Sequence, residues 1–156
     1  MTLDEVEFNK NILIAVDESE NSRRAVSYVG NLLGGIKGFR VLILHIIRHP
    51  EEDFFPTSAE INKWLGEYQL KVDAMLKDYR EILIGKGFAP EDVSVRSTLR
   101  HCPSLAECIL LELRQSKDYT IVVGRQGLSR SEAFLFGSVS SKIVNHARNC
   151  TVWVVE

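Results

Sequence analysis

The sequence predicts an α/β protein built on a doubly wound, five-stranded parallel sheet with helices on both faces. Three observations lead to this fold class. Short apolar runs alternate along the chain with segments whose apolar residues recur at helical spacing. The runs are apolar almost throughout, which is typical of strands buried on both faces. Capping residues and glycines separate the segments. Right-handed crossovers allow few strand orders, and we expect the order 3-2-1-4-5.

The strands and helix starts can be assigned in chain order. Capping residues mark the first three helices: Ser19, then Thr57 with Glu60, then Ser104 with Glu107. The second helix is the longest and is expected to run to about residue 84, where glycines follow. The predicted strands are Asn11–Asp17, Phe39–Ile47, Val93–Leu99, a fourth that closes with Ile121–Gly124, and Thr151–Val155.

Composition and charge argue against two classes of partner, nucleic acid and membranes. The 156 residues suit one domain, 1–156, with 45% hydrophobic and 26% charged residues. A formal net charge of −2 gives no broad basic surface for nucleic acid or for an anionic membrane. The longest purely apolar runs are far too short to span a membrane, and the first eleven residues do not resemble a signal peptide. We therefore expect neither a nucleic-acid nor a membrane partner.

The cysteines suggest a reducing compartment. Cys102, Cys108 and Cys150 are odd in number and include no CxxC pair. This pattern argues against a disulfide framework and against a zinc site. A cytoplasmic location and no metal site are the expectations.

Topology alone points to a binding site. Ligands of such sheets bind beyond the carboxyl ends of the strands, where the winding reverses. With the order 3-2-1-4-5, that point lies between the first and fourth strands. Asp17 and Gly124 end these strands, and both residue types suit a nucleotide site.

The loop after the fourth strand has a glycine pattern suited to phosphate. Gly124, Gly127, Gly137 and Ser138 follow the spacing G-x2-G-x9-G-S. Bare backbone lets N–H groups approach a phosphate closely, and a helix that begins at Ser138 adds free N–H groups and a positive dipole end. The alternative is that the glycines only turn the chain. Three of them at the switch point favour phosphate binding.

This pattern, with Asp17 and the run GSVSSKIV before the last strand, resembles the ATP-binding branch of the universal stress protein (UspA-like) family. The resemblance covers Asn11 to Val155 and implies an adenine nucleotide alpha hydrolase-like fold. It implies ATP, with or without Mg²⁺, as the ligand. It assigns phosphate and ribose contacts to Gly124, Gly127, Gly137 and Ser138. It assigns adenosine contacts to Asp17 and to the backbone at Val16 and Ile46.

The sequence departs from the family pattern at two places. Arg125 and Gln126 follow the first glycine of the loop, and Arg100 stands roughly where many members have a glycine. A bulky Arg100 would either crowd the adenine pocket or add a phosphate contact. His45, in an apolar strand, is expected to be a hydrogen-bonded core histidine. We assign no catalytic residue.

Three functions stay open. The first is an ATP-binding, homodimeric sensor or regulator of the stress response, paired through Thr151–Val155, the edge strand that carries no charge. The second is a protein-interaction module of the same fold that binds no nucleotide. The third is a slow ATPase or AMP-forming enzyme. Hydrolysis is expected to be slow or absent, because no P-loop lysine is present and Gln126 alone is suited to orient a water.

Overall fold

The five strands form one parallel sheet in the predicted order, β3-β2-β1-β4-β5. The computed structural model describes residues 9–50, 54–118, 120–125 and 138–156. The elements are β1 (Asn11–Ala15), α1 (Glu20–Leu33), β2 (Arg40–Arg48), α2 (Ser58–Gly85), a 3₁₀ turn (Pro90–Asp92), β3 (Val93–Arg100), α3 (Leu105–Ser116), β4 (Thr120–Gly124), α4 (Ser138–His146) and β5 (Thr151–Val155). Both the fold class and the strand order are confirmed.

Two apolar cores lie on opposite faces of the sheet. Alternate residues of each strand point to opposite faces. Ile12 and Ile14 of β1 therefore pack with α1 and α2, while Leu13 packs with α3 and α4. All three side chains are buried. Within the described ranges, no helix is both long enough and apolar enough to cross a membrane.

The three predicted caps are in place. The side-chain oxygens of Ser19, Thr57 and Ser104 each accept a hydrogen bond from the backbone N–H three residues later, at 3.2, 3.2 and 3.3 Å. Each cap satisfies one of the N–H groups that a helix leaves unpaired at its start. These caps fix where the chain leaves the carboxyl edge of the sheet and enters a helix.

The strands end at different heights along the carboxyl edge. The β1–β2 ladder stops at the pair Ala15 and Leu44, whereas the β2–β3 ladder continues to Arg48 and Arg100. The first strand is shorter than its apolar run predicts, because the chain turns after Val16 into the cap of α1. The last four residues of β2 are therefore paired on one side only.

The cysteines depart from expectation. Cys102 and Cys108 form a disulfide, with their Cα atoms 5.8 Å apart. The chain turns between β3 and α3 and brings the loop cysteine back over the first turns of the helix, an arrangement that sequence spacing does not reveal. Cys150 is a partly buried free thiol, and burial raises its pKa. The expectation against a disulfide framework is therefore wrong for this pair of cysteines.

Candidate functional site

The loop after β1 is organised around Asp17. Its Oδ1 accepts hydrogen bonds from the Ser19 N–H at 2.8 Å and from the Ser22 hydroxyl at 2.9 Å. The Asp17 N–H in turn donates to the Ser22 hydroxyl at 2.9 Å. No described residue donates a hydrogen bond to Oδ2. One carboxylate oxygen therefore fixes the loop and the other is available to a ligand.

Two side chains from other elements hold the carbonyl groups of this loop. His45 Nδ1 lies 2.7 Å from the Val16 carbonyl oxygen, and the Tyr79 hydroxyl donates to the Asp17 carbonyl at 2.7 Å. Since a carbonyl only accepts, Nδ1 of His45 carries the proton, and its Nε2 faces the Tyr68 hydroxyl at 3.1 Å. His45 is 5% exposed. It is a fully hydrogen-bonded core histidine, as predicted.

The two tyrosines are less acidic than usual. Burial, reinforced by the charge of Asp17, raises the pKa of Tyr79 to about 12. Burial, with the charges of Glu18 and Asp17 behind it, also raises the pKa of Tyr68. Both hydroxyls therefore keep their protons at neutral pH. The Tyr79 hydroxyl donates to the loop, and the Tyr68 hydroxyl donates to Nε2 of His45.

β1 ends beside β2, and β2 continues alone on that side. We call the point where the two strands part the fork. The Val16 N–H still donates to the Leu44 carbonyl, at 2.9 Å. Backbone groups alternate sides along a strand, so the Ile46 N–H and C=O face the same side as the Leu44 carbonyl. The ladder has ended there, and neither group of Ile46 has a partner on that side among the described residues. A free donor and a free acceptor thus stand next to the Asp17 loop.

Gly124, at the end of β4, lies across β1 from the fork. A Cβ on this glycine would lie 3.0 Å from Cβ and 3.1 Å from the backbone carbon of Asn21. The missing side chain lets the first turn of α1 approach β4, so this glycine has a packing role whatever the ligand. The Ser140 hydroxyl donates to the Arg125 carbonyl at 3.1 Å, which brings the start of α4 to the end of β4.

The two arginines that depart from the family pattern are both engaged. Arg125 Nη1 pairs with the Glu156 carboxylate at 3.0 Å. Arg100 donates from Nε to Glu112 Oε1 at 2.7 Å and from Nη2 to Gln115 at 2.9 Å, so its guanidinium is held against α3. The pairing with α3 was missed by sequence reasoning, which considered only the adenine pocket and the phosphates.

The predicted site residues divide into two groups. Topology brings Val16, Asp17 and Ile46 to the fork, and Gly124 and the exposed Ser138 to the far side of the same edge. Gly127, Gly137 and the neighbouring Gln126 lie outside the described residues.

Sequence reasoning missed the roles of three further residues. Ser22, His45 and Tyr79 fix the loop through their hydrogen bonds. Only His45 gave a signal, as a polar residue within an apolar strand.

The chemistry of this edge suits an adenine nucleotide. Adenine presents a donor, its amino group, beside an acceptor, the ring nitrogen N1. A strand's free C=O and N–H, such as those of Ile46, complement that pair. The Asp17 carboxylate can accept from a ribose hydroxyl, and the N-terminus of α4 favours a phosphate.

Comparison with solved structures finds the same fold. UspA of Lactobacillus plantarum is 19% identical, with a TM-score of 0.76 over 96% of this chain and 100% of that one. A universal stress protein in complex with cAMP is 20% identical, with a TM-score of 0.69 over 94% and 97%. The universal stress protein of Archaeoglobus fulgidus in complex with dAMP is 16% identical, with a TM-score of 0.61 over 97% and 99%.

Comparison by sequence identifies the family of this chain. No curated protein sequence matches the chain closely enough to count as a relative. The model of the universal stress protein family matches residues 9–156, almost the whole chain. This protein therefore belongs to the universal stress protein family.

Proposed function

We propose that this protein binds an adenine nucleotide, with ATP as the preferred ligand, at the carboxyl ends of β1, β2 and β4. The observation that carries the proposal is the fork, where the free backbone groups of Ile46 lie beside the Asp17 carboxylate. The solved relatives that hold cAMP and dAMP support the same ligand class. Gly124, Gly127, Gly137 and Ser138 would contact the phosphates and ribose, and Mg²⁺ would accompany ATP.

The nucleotide would serve a regulatory role. In this proposal the protein is a cytoplasmic, homodimeric sensor or regulator of the stress response, paired through Thr151–Val155. The hydrogen bonds around Asp17 hold the loop in one conformation, so little ordering would be needed when the ligand arrives.

Thermal unfolding with ATP and Mg²⁺ tests nucleotide binding. Saturation at a hundred times Kd is expected to add ~2.7 kcal/mol to the free energy of unfolding. GTP should give a much smaller shift, because guanine presents an acceptor and a ring N–H where adenine has a donor and an acceptor. If ATP leaves wild-type stability unchanged, the proposal fails and the protein-interaction module becomes the better account.

A substitution isolates the contribution of Asp17. Asp17→Asn keeps an oxygen for Ser19 and Ser22 but replaces Oδ2 with a donor. We expect it to fold and to lose most of the ATP shift. Glu18→Gln, at the exposed neighbouring position, is the matched control and should keep the full shift. Equal ATP shifts for the two variants would remove Asp17 from the site.

A further inference from the structure

Residues that the nucleotide site does not use converge on one cavity. Arg48, His49, Arg100, His101 and Cys102 line a space of about 440 Å³ beyond the ends of β2 and β3. Two elements meet there: the last residues of β2 and the loop from β3 to α3. Four of these five side chains carry or can acquire positive charge, and the fifth belongs to the disulfide.

Among the residues that the structure describes, no acidic residue lines the cavity, and two of the lining side chains, Arg48 and Arg100, are cationic. Arg48 is exposed, and no described carboxylate pairs with it. Glu112 on α3 pairs with one end of the Arg100 guanidinium and offsets its positive charge. The rings of His49 and His101 stack with centroids 4.2 Å apart. Nδ1 of His49 donates to the Pro50 carbonyl at 3.0 Å.

The two cysteines of the disulfide differ in exposure. Cys108, in the first turns of α3, is completely buried, whereas Cys102 is partly exposed and lies in the cavity wall. Exchange needs a thiolate to approach one sulfur along the S–S axis. Attack is therefore directed to Cys102, through the positively charged cavity.

We propose that this cavity receives anionic low-molecular-mass thiols and that they exchange with the disulfide at Cys102. The incoming thiolate attacks Cys102 Sγ and forms a mixed disulfide, while the bond to Cys108 breaks. Cys108 leaves as a thiolate and takes up a proton. A second thiol attacks the sulfur of the bound thiol, which releases the small disulfide and Cys102 as a thiol. The net reaction reduces the protein disulfide and oxidises two thiols.

The consequence is a modification site independent of the nucleotide. In a reducing cytoplasm, a disulfide that a small thiol can reach is reversible. The bond joins the β3–α3 loop to the first turns of α3, so exchange would release the wall of the cavity.

Charge-dependent reduction kinetics test the proposal. The oxidised protein, with Cys150→Ser to leave one cysteine pair, is treated without nucleotide with 3-mercaptopropionate, 2-mercaptoethanol or cysteamine. The rate at which the thiols of Cys102 and Cys108 appear is measured with each reagent. Each rate is divided by the concentration of that reagent's thiolate before the three are compared. At low salt the carboxylate thiol should react about tenfold faster than the neutral one, and cysteamine more slowly. High salt should reduce the difference.

A matched pair of variants locates the effect. Arg48→Gln should bring the three rates to within about twofold of one another. Arg40→Gln changes the exposed arginine at the other end of β2 and should leave the charge preference intact. Equal rates for the three thiols in the wild type would overturn the docking site. Two free thiols after mild oxidation of the Cys150→Ser protein would overturn the disulfide itself. Neither result bears on nucleotide binding, which is measured separately.

Discussion

At the scale of single residues, the loop after β1 is held by groups that a ligand need not touch. Ser22 holds Asp17 from the first turn of α1. His45 and Tyr79 hold the carbonyl groups of the loop from the sheet and from α2. The residues that fix the position of the loop are therefore distinct from the groups proposed to bind the ligand. In the proposed site, a change at Asp17 would affect both, while a change at Tyr79 would affect position alone.

Tyr79→Phe tests the positioning contribution. It removes the hydroxyl that donates to the Asp17 carbonyl and leaves the buried ring in place. We expect a loss of about 1 kcal/mol in the free energy of unfolding at pH 7, measured by urea. Tyr28→Phe alters a ring that is 47% exposed and should change stability little. Equal effects of the two substitutions would contradict the assignment.

Tyr79 should also make the free energy of unfolding depend on pH in the alkaline range. Its pKa is about 12 in the folded protein against a reference value of 10.0. The folded state therefore holds the proton more tightly, and this contribution to stability is complete below pH 10 and is lost as the pH rises toward 12. Urea unfolding across that window should show a steeper loss in the wild type than in Tyr79→Phe. Parallel curves would rule out the raised pKa.

At the scale of elements, the contact between β3 and α3 depends on one buried carboxylate. Glu112 is 3% exposed and accepts from Arg96 at 3.3 Å and from Arg100 at 2.7 Å. Glu112→Gln should cost about 1.5–3 kcal/mol in urea unfolding, because the arginines lose a charged partner. Glu107→Gln, on the exposed side of the same helix, should change stability by less than about 0.5 kcal/mol. A Glu112 variant as stable as this control would refute the role.

Prediction from sequence succeeded for elements whose signals are local. Apolar runs gave the strands, and the three caps gave the helix starts, since each depends on residues within three positions. It failed for the Cys102–Cys108 bond and for the Arg100–Glu112 pair, which depend on how the chain folds back after β3.

For the candidate site, the predicted strand order fixed only which residues share an edge of the sheet. Strand order placed Asp17 and Gly124 at one edge, but it could not show that Oδ1 is already used or that Asn21 packs against the glycine.

At the scale of the whole molecule, the sheet has two edges with different properties. β3 presents the exposed Arg96, whereas β5 presents the partly exposed Val154 and no charged residue along its length. A charged edge resists pairing with another strand, and an uncharged one invites it. Trp153 packs edge-on against Tyr28 of α1, with ring centroids 6.1 Å apart. β5 is therefore the edge through which the predicted homodimer would form.

Val154→Pro tests the dimer. The Val155 carbonyl accepts from the Arg125 N–H within the sheet, so the backbone groups of Val154 face outward. Proline there removes an outward donor but no bond to β4. We expect monomer or aggregate by light scattering at micromolar concentration. Val154→Thr keeps the N–H and should stay dimeric. A wild-type protein that is monomeric would end the proposal.

The unequal strand ends have a consequence for sequence change over time. Beyond Leu44 and Arg96, β2 and β3 are paired only with each other and make a two-stranded ribbon that projects past the central strand. Residues can be added to or removed from such a projection without shifting the register of β1 or β4. Homologues should therefore differ most in length and composition at the tip of this ribbon, beyond Ile46, while His45, Ile46 and the Asp17 side of the edge keep their positions.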